Sequence, residues 1–331
     1  MQTWVEKLWY GRPLWAPLLH PILLPLSQLF GRIAANRRRK LEAKQTRLSV
    51  PVIVVGNISV GGTGKTPFTI ALVSRLQEQG IRVGVISRGY GGKAEYPYTL
   101  TATSTAEQSG DEPLMIFRRC GCPVVIDPDR VNAAQTLIDQ HKVQIIISDD
   151  GLQHYRLPRD IEIAVVDGER GLGNGRCLPA GPLRESPKRL DDVDYVIING
   201  ENQHHIATAN GHELNLAPGA LIPIGTTPKA PAPMAQTVDA IAAIGNPQRF
   251  FNTLQTAGFD VEPHPFPDHY HYQLDDLFLN TKRPVLMTEK DAVKCAEFSE
   301  LDHHWYLPVN AELSDDFWQR LEAHVQILLT A

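Results

Sequence analysis

The sequence predicts an α/β protein: a mostly parallel sheet with helices on both faces, a second, smaller α/β lobe after it, and an apolar, then basic, helical segment before it. Three observations carry that expectation. Short β-branched runs alternate with helical stretches from about residue 50 to 200, an Ala- and Pro-rich stretch interrupts them at 215–236, and the alternation then resumes. The boundaries are 1–48 for the N-terminal segment, 49–214 for the first domain, 215–236 for a linker or connecting ribbon, and 237–331 for the smaller lobe.

Residues 14–30 are uncharged. As a helix they would reach about 25 Å, slightly short of a bilayer core of about 30 Å. Pro13, Pro17, Pro21 and Pro25 recur every four residues and would share one helical face, each removing a backbone donor. Residues 1–50 hold nine Lys/Arg, including Arg37-Arg38-Arg39-Lys40, against two acids. That is +7 in a chain of net charge −5, so the other 281 residues carry −12. Such asymmetry points to an anionic surface. Beside an apolar run, membrane lipid approached from the cytoplasmic side fits better than nucleic acid. Spanning and surface-lying both remain open. An Arg-rich stretch follows where a signal peptide would need small residues for cleavage. The four cysteines show no paired spacing and read as reduced thiols.

In the first domain, Val52–Val55 reads as a buried strand, Thr66 to Gln79 as a helix closed by Gly80, and Arg82–Ser87 as the next strand. Further strands are expected at Val124–Ile126, Gln144–Ser148, Ile161–Val166 and Tyr195–Asn199, with helices around 112–120 and 129–141. In the smaller lobe, DAIAAIG, Val261–Pro265, PVLMTEKD and WYLPV read as strands, with helices near 247–257 and 274–280 and a C-terminal helix.

The strongest local signal is GNISVGGTGKTP between the first strand and helix. Gly61, Gly62 and Gly64 let the amides from Ser59, Val60 and Thr63 to Thr66 converge on phosphate oxygens. Lys65 adds charge at the β/γ position and Thr66 a hydroxyl for Mg²⁺, as in a P-loop binding ATP. The helix N-terminus beneath adds its partial positive charge. The strict pattern has glycine at 59, where this chain has serine. Asp149 and Asp150 end the apolar run IIIS, where a Walker-B-type acid holds Mg²⁺; either one suits the nearer position. Gln153 and His154 follow closely enough to reach the same cleft.

Other residues are less specific by themselves. Asp111 before Glu112-Pro113 suits a helix N-cap. Arg88 suits a phosphate or carboxylate, Tyr90 a sugar, and Arg184-Glu185 an exposed ion pair. His264, His269 and His271 match no common zinc spacing.

Taken in order, the apolar-basic N-terminus, GNISVGGTGKTP, SRGYGGK, GDEP, SDDGLQH, LPAGPLRE, the PDH of FPDHY and TEKD resemble the tetraacyldisaccharide 4′-kinase family, the lipid A 4′-kinases of Gram-negative bacteria. The family shares the non-glycine residue at the position of Ser59. The resemblance implies transfer of the ATP γ-phosphate to the 4′-hydroxyl of an acylated glucosamine disaccharide 1-phosphate, forming lipid IVA at the cytoplasmic face of the inner membrane. It also implies two lobes joined by a β-ribbon and closing around the nucleotide. Asp111 becomes the base, helped by His269, with Lys65 on the transferred phosphate. Glu185 joins Thr66, Asp149 and Asp150 in the Mg²⁺ network, and Arg184 stabilises phosphate charge. Arg88, Tyr90, Glu112, Gln153 and His154 complete the substrate side. TEKD receives no chemical role. The competing reading is a membrane-tethered P-loop NTPase that switches or assembles partners.

Overall fold

The computed structural model describes residues 4–11, 13–206, 208–224, 231–279, 282–298 and 301–330. Helices α1 (Trp4–Tyr10) and α2 (Ala16–Glu42) precede the first lobe. That lobe then runs β1 (Val52–Gly56), α3 (Lys65–Glu78), β2 (Val83–Ser87), β3 (Tyr98–Thr99), α4 (Ala106–Ser109), α5 (Asp111–Cys120), β4 (Val124–Ile126), α6 (Arg130–His141), β5 (Ile145–Ser148), β6 (Ile161–Asp167), β7 (Tyr195–Asn199) and β8 (Gly211–Pro218). The smaller lobe runs β9 (Ile222–Pro223), β10 (Thr237–Ala242), α7 (Pro247–Thr256), β11 (Asp260–Pro265), α8 (Leu274–Leu277), β12 (Val285–Thr288), α9 (Glu289–Cys295) and β13 (His304–Leu307). Last come β14 (Val309–Glu312) and α10 (Asp315–Thr330).

Among the described residues, the larger sheet has the order β14-β8-β7-β6-β1-β5-β2-β4-β3 and the smaller β11-β10-β12-β13-β9. Pairing is parallel except at the edges, where β3, β14 and β9 run antiparallel to their neighbours. Both faces of β1 are buried: Ile53 and Val55 pack with Phe68 and Leu72 of α3, while Val52 and Val54 pack with Leu137 of α6. Burial on both faces explains why the strands read as continuous apolar runs. Since β1 lies between β6 and β5, the loops leaving β1 and β5 open side by side at the sheet's C-terminal edge.

Two expected boundaries differ from the structure. The 214/215 boundary falls inside β8, which runs through Pro218, parallel to β7 and antiparallel to β14, and within the stretch expected as a linker or connecting ribbon Ile222–Pro223 pairs with β13. Residues 225–230 of that stretch lie outside the described residues. Nor does the smaller lobe extend to 331. After Leu307 the chain returns to the larger sheet as β14, and α10 buries Phe317, Leu321 and Val325 in the larger lobe's core. The Phe317 ring sits 6.0 Å from Phe68 and 5.7 Å from Tyr195. A 317/321/325 stripe announces an amphipathic helix but does not say which sheet it covers. The helix expected at 274–280 shortens to α8, and residue 280 lies outside the described residues.

Helix α2 stays continuous through Pro21 and Pro25 and combines the apolar and basic stretches. One face is fastened to the 174–192 segment. His20 meets Arg176 at 2.9 Å, Ser27 Oγ donates to the Cys177 carbonyl at 2.7 Å, and Arg38 pairs with Asp192 at 2.8 Å. Leu18, Ile22, Leu29 and Ile33 of the same helix are exposed, as is Leu14 just before it.

Candidate active site

The loop from Asn57 to Gly64 is shaped by left-handed glycines, with φ of +103° at Gly61 and +88° at Gly64, the residue that caps α3. Asn199, at the end of β7, donates to the Thr63 carbonyl at 3.0 Å. A Cβ on Gly64 would lie 2.3 Å from that asparagine's Nδ2, so only glycine fits. The loop is also laced to the segment carrying Arg184 and Glu185. The Val60 amide donates to the Pro182 carbonyl at 2.9 Å, the Arg184 amide to the Ile58 carbonyl at 2.6 Å, and Ser59 bridges Leu183.

Lys65 approaches Asp150 Oδ1 at 3.4 Å, and Arg184 approaches the other oxygen at 3.6 Å. Gln153 ties this corner together, accepting from Arg184 at 3.3 Å and donating to the Asn57 carbonyl at 2.9 Å and to Glu185 Oε1 at 2.8 Å. The other oxygen of Glu185 accepts from the Tyr155 hydroxyl, so both are engaged. Asp149 is buried. Its Oδ1 accepts from Thr69 at 3.1 Å, while Oδ2 has no donor. Burial, Glu112 and Asp150 all push its carboxyl upward. An unpartnered buried carboxylate oxygen at the sheet edge that the phosphate loop also leaves is a hard-oxygen donor of the kind that suits Mg²⁺. Among the described residues, no group of three or more His, Cys, Asp or Glu is arranged to hold a metal ion by itself. Ligation through one or two carboxylates plus phosphate oxygens is the mode Mg²⁺ prefers.

A second cluster forms where the lobes meet. His269 Nδ1 lies 3.1 Å from Asp111 Oδ2, across 158 residues of sequence. Burial alone would push the Asp111 carboxyl up; the hydrogen bond from His269 and the charge of Lys290 outweigh it and hold it at about 2. His269 is raised in turn, chiefly by its bond to Asp111. Its backbone has φ of +60°, and its ring meets Tyr90 edge-on at 5.6 Å. Asp111 is not the expected N-cap. Gly110 occupies that place, Asp111 is the first helical residue, and its Oδ1 accepts from the Glu112 amide at 3.0 Å, which leaves Oδ2 for His269.

Arg88 and Tyr90 stand exposed on the rim. His154 is pushed down to about 4 by burial and Arg130, and its buried Nε2 has no partner; it does not join the Gln153–Glu185 network. Sequence reasoning overlooked Asn199, Tyr155 and Lys290. Lys290 sits 3.7 Å from Asp111, 3.4 Å from Glu112 and 3.5 Å from Asp268. The TEKD motif, given no chemical role above, thus places an ammonium beside the Asp111–His269 pair. An apolar strand ending in a polar residue was the one signal that pointed to Asn199.

A family model described as tetraacyldisaccharide-1-P 4′-kinase matches residues 19–326. Curated relatives called tetraacyldisaccharide 4′-kinase include one from Alcanivorax borkumensis, 48% identical over 95% of both chains. Another from Hahella chejuensis is 46% identical, covering 99% of this chain and 98% of its own. The solved structure of LpxK from Aquifex aeolicus, in complex with ATP, superposes with a TM-score of 0.77 at 28% identity, covering 95% of this chain and 99% of the other.

Proposed function

Since the chain belongs to the tetraacyldisaccharide-1-P 4′-kinase family, we propose that it transfers the γ-phosphate of ATP to the 4′-hydroxyl of a tetraacylated glucosamine disaccharide 1-phosphate, forming lipid IVA. The amides of Gly61 to Thr66 and the Lys65 ammonium hold the triphosphate tail, while Ser59 and Val60 anchor the start of the loop on Pro182 and Leu183. Thr66 and the free Asp149 oxygen would hold Mg²⁺, with Asp150 beside them and Glu185 supporting the site through Gln153. When bound, that ion neutralises phosphate charge. Asp111 accepts the proton of the 4′-hydroxyl as the oxygen attacks phosphorus, and His269 orients the carboxylate and shares the proton. Arg184 steadies phosphate charge, and Arg88, Tyr90, Glu112 and His154 border the acceptor.

The observation that carries this reading is the ionised Asp111 paired with His269 beside a phosphate loop, a base with no purpose in simple nucleotide retention. The acceptor arrives from lipid. The exposed Leu18/Ile22/Leu29/Ile33 face of α2 sits in the cytoplasmic leaflet of the inner membrane while its opposite face is held by the 174–192 segment, which also carries Arg184 and Glu185. A helix tied at His20, Ser27 and Arg38 lies along the membrane and does not cross it.

ATP turnover with and without the lipid disaccharide tests the proposal. A kinase turns over little ATP without acceptor, whereas a membrane-tethered switch NTPase hydrolyses it regardless. Asp111→Ala should lower the rate by about 10²- to 10⁴-fold while ATP still binds.

A further inference from the structure

The α5–α9 contact joins the two lobes through a charge pattern. At its start α5 carries Asp111 and Glu112, and near its end Arg119; α9 opens with Glu289-Lys290. Lys290 reaches Asp111 and Glu112, while Glu289 pairs with Arg119 at 2.9 Å. Neighbouring residues of opposite sign therefore meet opposite ends of α5. A slip of one position would set Glu289 against the two acids. The flanking residues of TEKD fix α9 within its own lobe: the Asp291 amide donates to Thr288 Oγ1 at 3.1 Å, and Asp291 Oδ2 accepts from Thr288 Oγ1 at 2.6 Å and from the Ala243 amide at 3.1 Å. Lys294, the next cation along α9, is taken by Asp291 at 2.9 Å. Lys290 alone of the two reaches across to α5.

We propose that Lys290 is a positioning residue that couples docking of the smaller lobe to readiness of the base. Its ammonium reaches Asp111 only when α9 lies against α5, and there it holds the carboxylate ionised and aimed at His269. The inference rests on the kinase reading and adds to it a residue that touches neither phosphate nor acceptor. Among the described residues, the groups facing the Asp111–His269 pair are Lys290, Glu112, Asp268 and the Tyr90 ring; Lys294, one turn further along α9 and held by Asp291, adds a more distant positive charge at Asp111, and Lys290 is the cation in contact with the pair. Removing it raises the pKa of both Asp111 and His269, because each then loses a neighbouring positive charge. The pair sheds its proton at higher pH, and the acid limb of the rate profile moves in the alkaline direction.

The test compares Lys290→Met, Lys290→Arg and Glu289→Gln with wild-type protein, in kcat, KM for ATP, and the pH dependence of kcat. Lys290→Met should lose about 10²-fold in kcat with little change in KM for ATP, and its acid limb should shift up by about one pH unit or more. Lys290→Arg should recover most of the rate and the wild-type limb, and Glu289→Gln should slow the reaction without moving the limb. NMR titration of His269 gives an independent reading in folded protein, with its pKa higher in Lys290→Met. An unmoved limb and an unmoved His269 titration in Lys290→Met overturn the inference, as does a loss that arginine cannot rescue. Wild-type protein that forms no phosphorylated lipid would instead remove the kinase reading, and that control is read separately.

Discussion

Replacing Gly64 with alanine probes the phosphate loop at its tightest point. The residue has φ of +88°, and an added Cβ would sit 2.3 Å from Asn199 Nδ2. Left-handed backbone costs an L-residue about 1–2 kcal/mol. Escaping the collision breaks the Asn199–Thr63 hydrogen bond, worth about 1 kcal/mol net. Both penalties fall on the loop shape that binds phosphate. The free protein avoids them by letting the loop relax, and ATP must restore that shape from its own binding energy. The total of about 2–3 kcal/mol corresponds to roughly 30- to 150-fold weaker ATP binding. Isothermal titration of ATP into Gly64→Ala measures it, with the far-UV spectrum and unfolding midpoint as controls. Adding Asn199→Ala removes the collision but also deletes the hydrogen bond to Thr63 and leaves the strained φ, so the double variant should bind ATP about as weakly as Gly64→Ala. Wild-type ATP affinity in Gly64→Ala would refute the reasoning, because the loop would then not need its observed geometry.

Other consequences concern acid stability, the membrane face and the C-terminal helix. Asp111 has a depressed pKa, so the stability it contributes is present above its unfolded value of about 3.9 and is lost as pH falls towards about 2; urea midpoints should fall through that window more steeply for wild type than for Asp111→Asn. Replacing Leu18, Ile22 and Leu29 with Ser should reduce sedimentation with anionic vesicles and the rate on acylated acceptor while sparing ATP affinity, and alkaline carbonate should release wild-type protein from membranes, as a surface-lying helix requires. Phe317→Ala should cost about 3–5 kcal/mol in urea unfolding, since the ring is fully buried against Phe68 and Tyr195 of the larger lobe.

Features written in contiguous residues were the ones open to sequence reasoning. The strand–glycine loop–helix unit at Val52–Glu78 is local, because left-handed glycines and a helix N-terminus need no distant partner to be recognised. Parallel strands buried on both faces likewise announce themselves as apolar runs. Pairings between distant segments were opaque. Nothing around residue 215 shows that β8 will be bordered by Val309–Glu312, and nothing in α10 names the sheet it covers. The same limit hid Lys290: TEKD reads locally as a capped helix start, and only the docking of α9 on α5 brings its ammonium to Asp111. Asp111 shows the converse. Its local reading as a cap failed because Gly110, with φ of +83°, already turns the chain into the helix and leaves a carboxylate oxygen for His269.

The most direct measurement of the central claim is product analysis with Mg²⁺-ATP, an acylated glucosamine disaccharide 1-phosphate in mixed micelles, and either wild-type protein or Asp111→Ala. Mass spectrometry and ³¹P NMR of the lipid should show a new phosphate on the 4′-oxygen with wild type, formed at least about 10²-fold more slowly with the variant, although the variant still binds ATP. Phosphate released to water at the same rate with or without lipid, or 4′-phosphorylated lipid formed equally well by Asp111→Ala, would contradict the account.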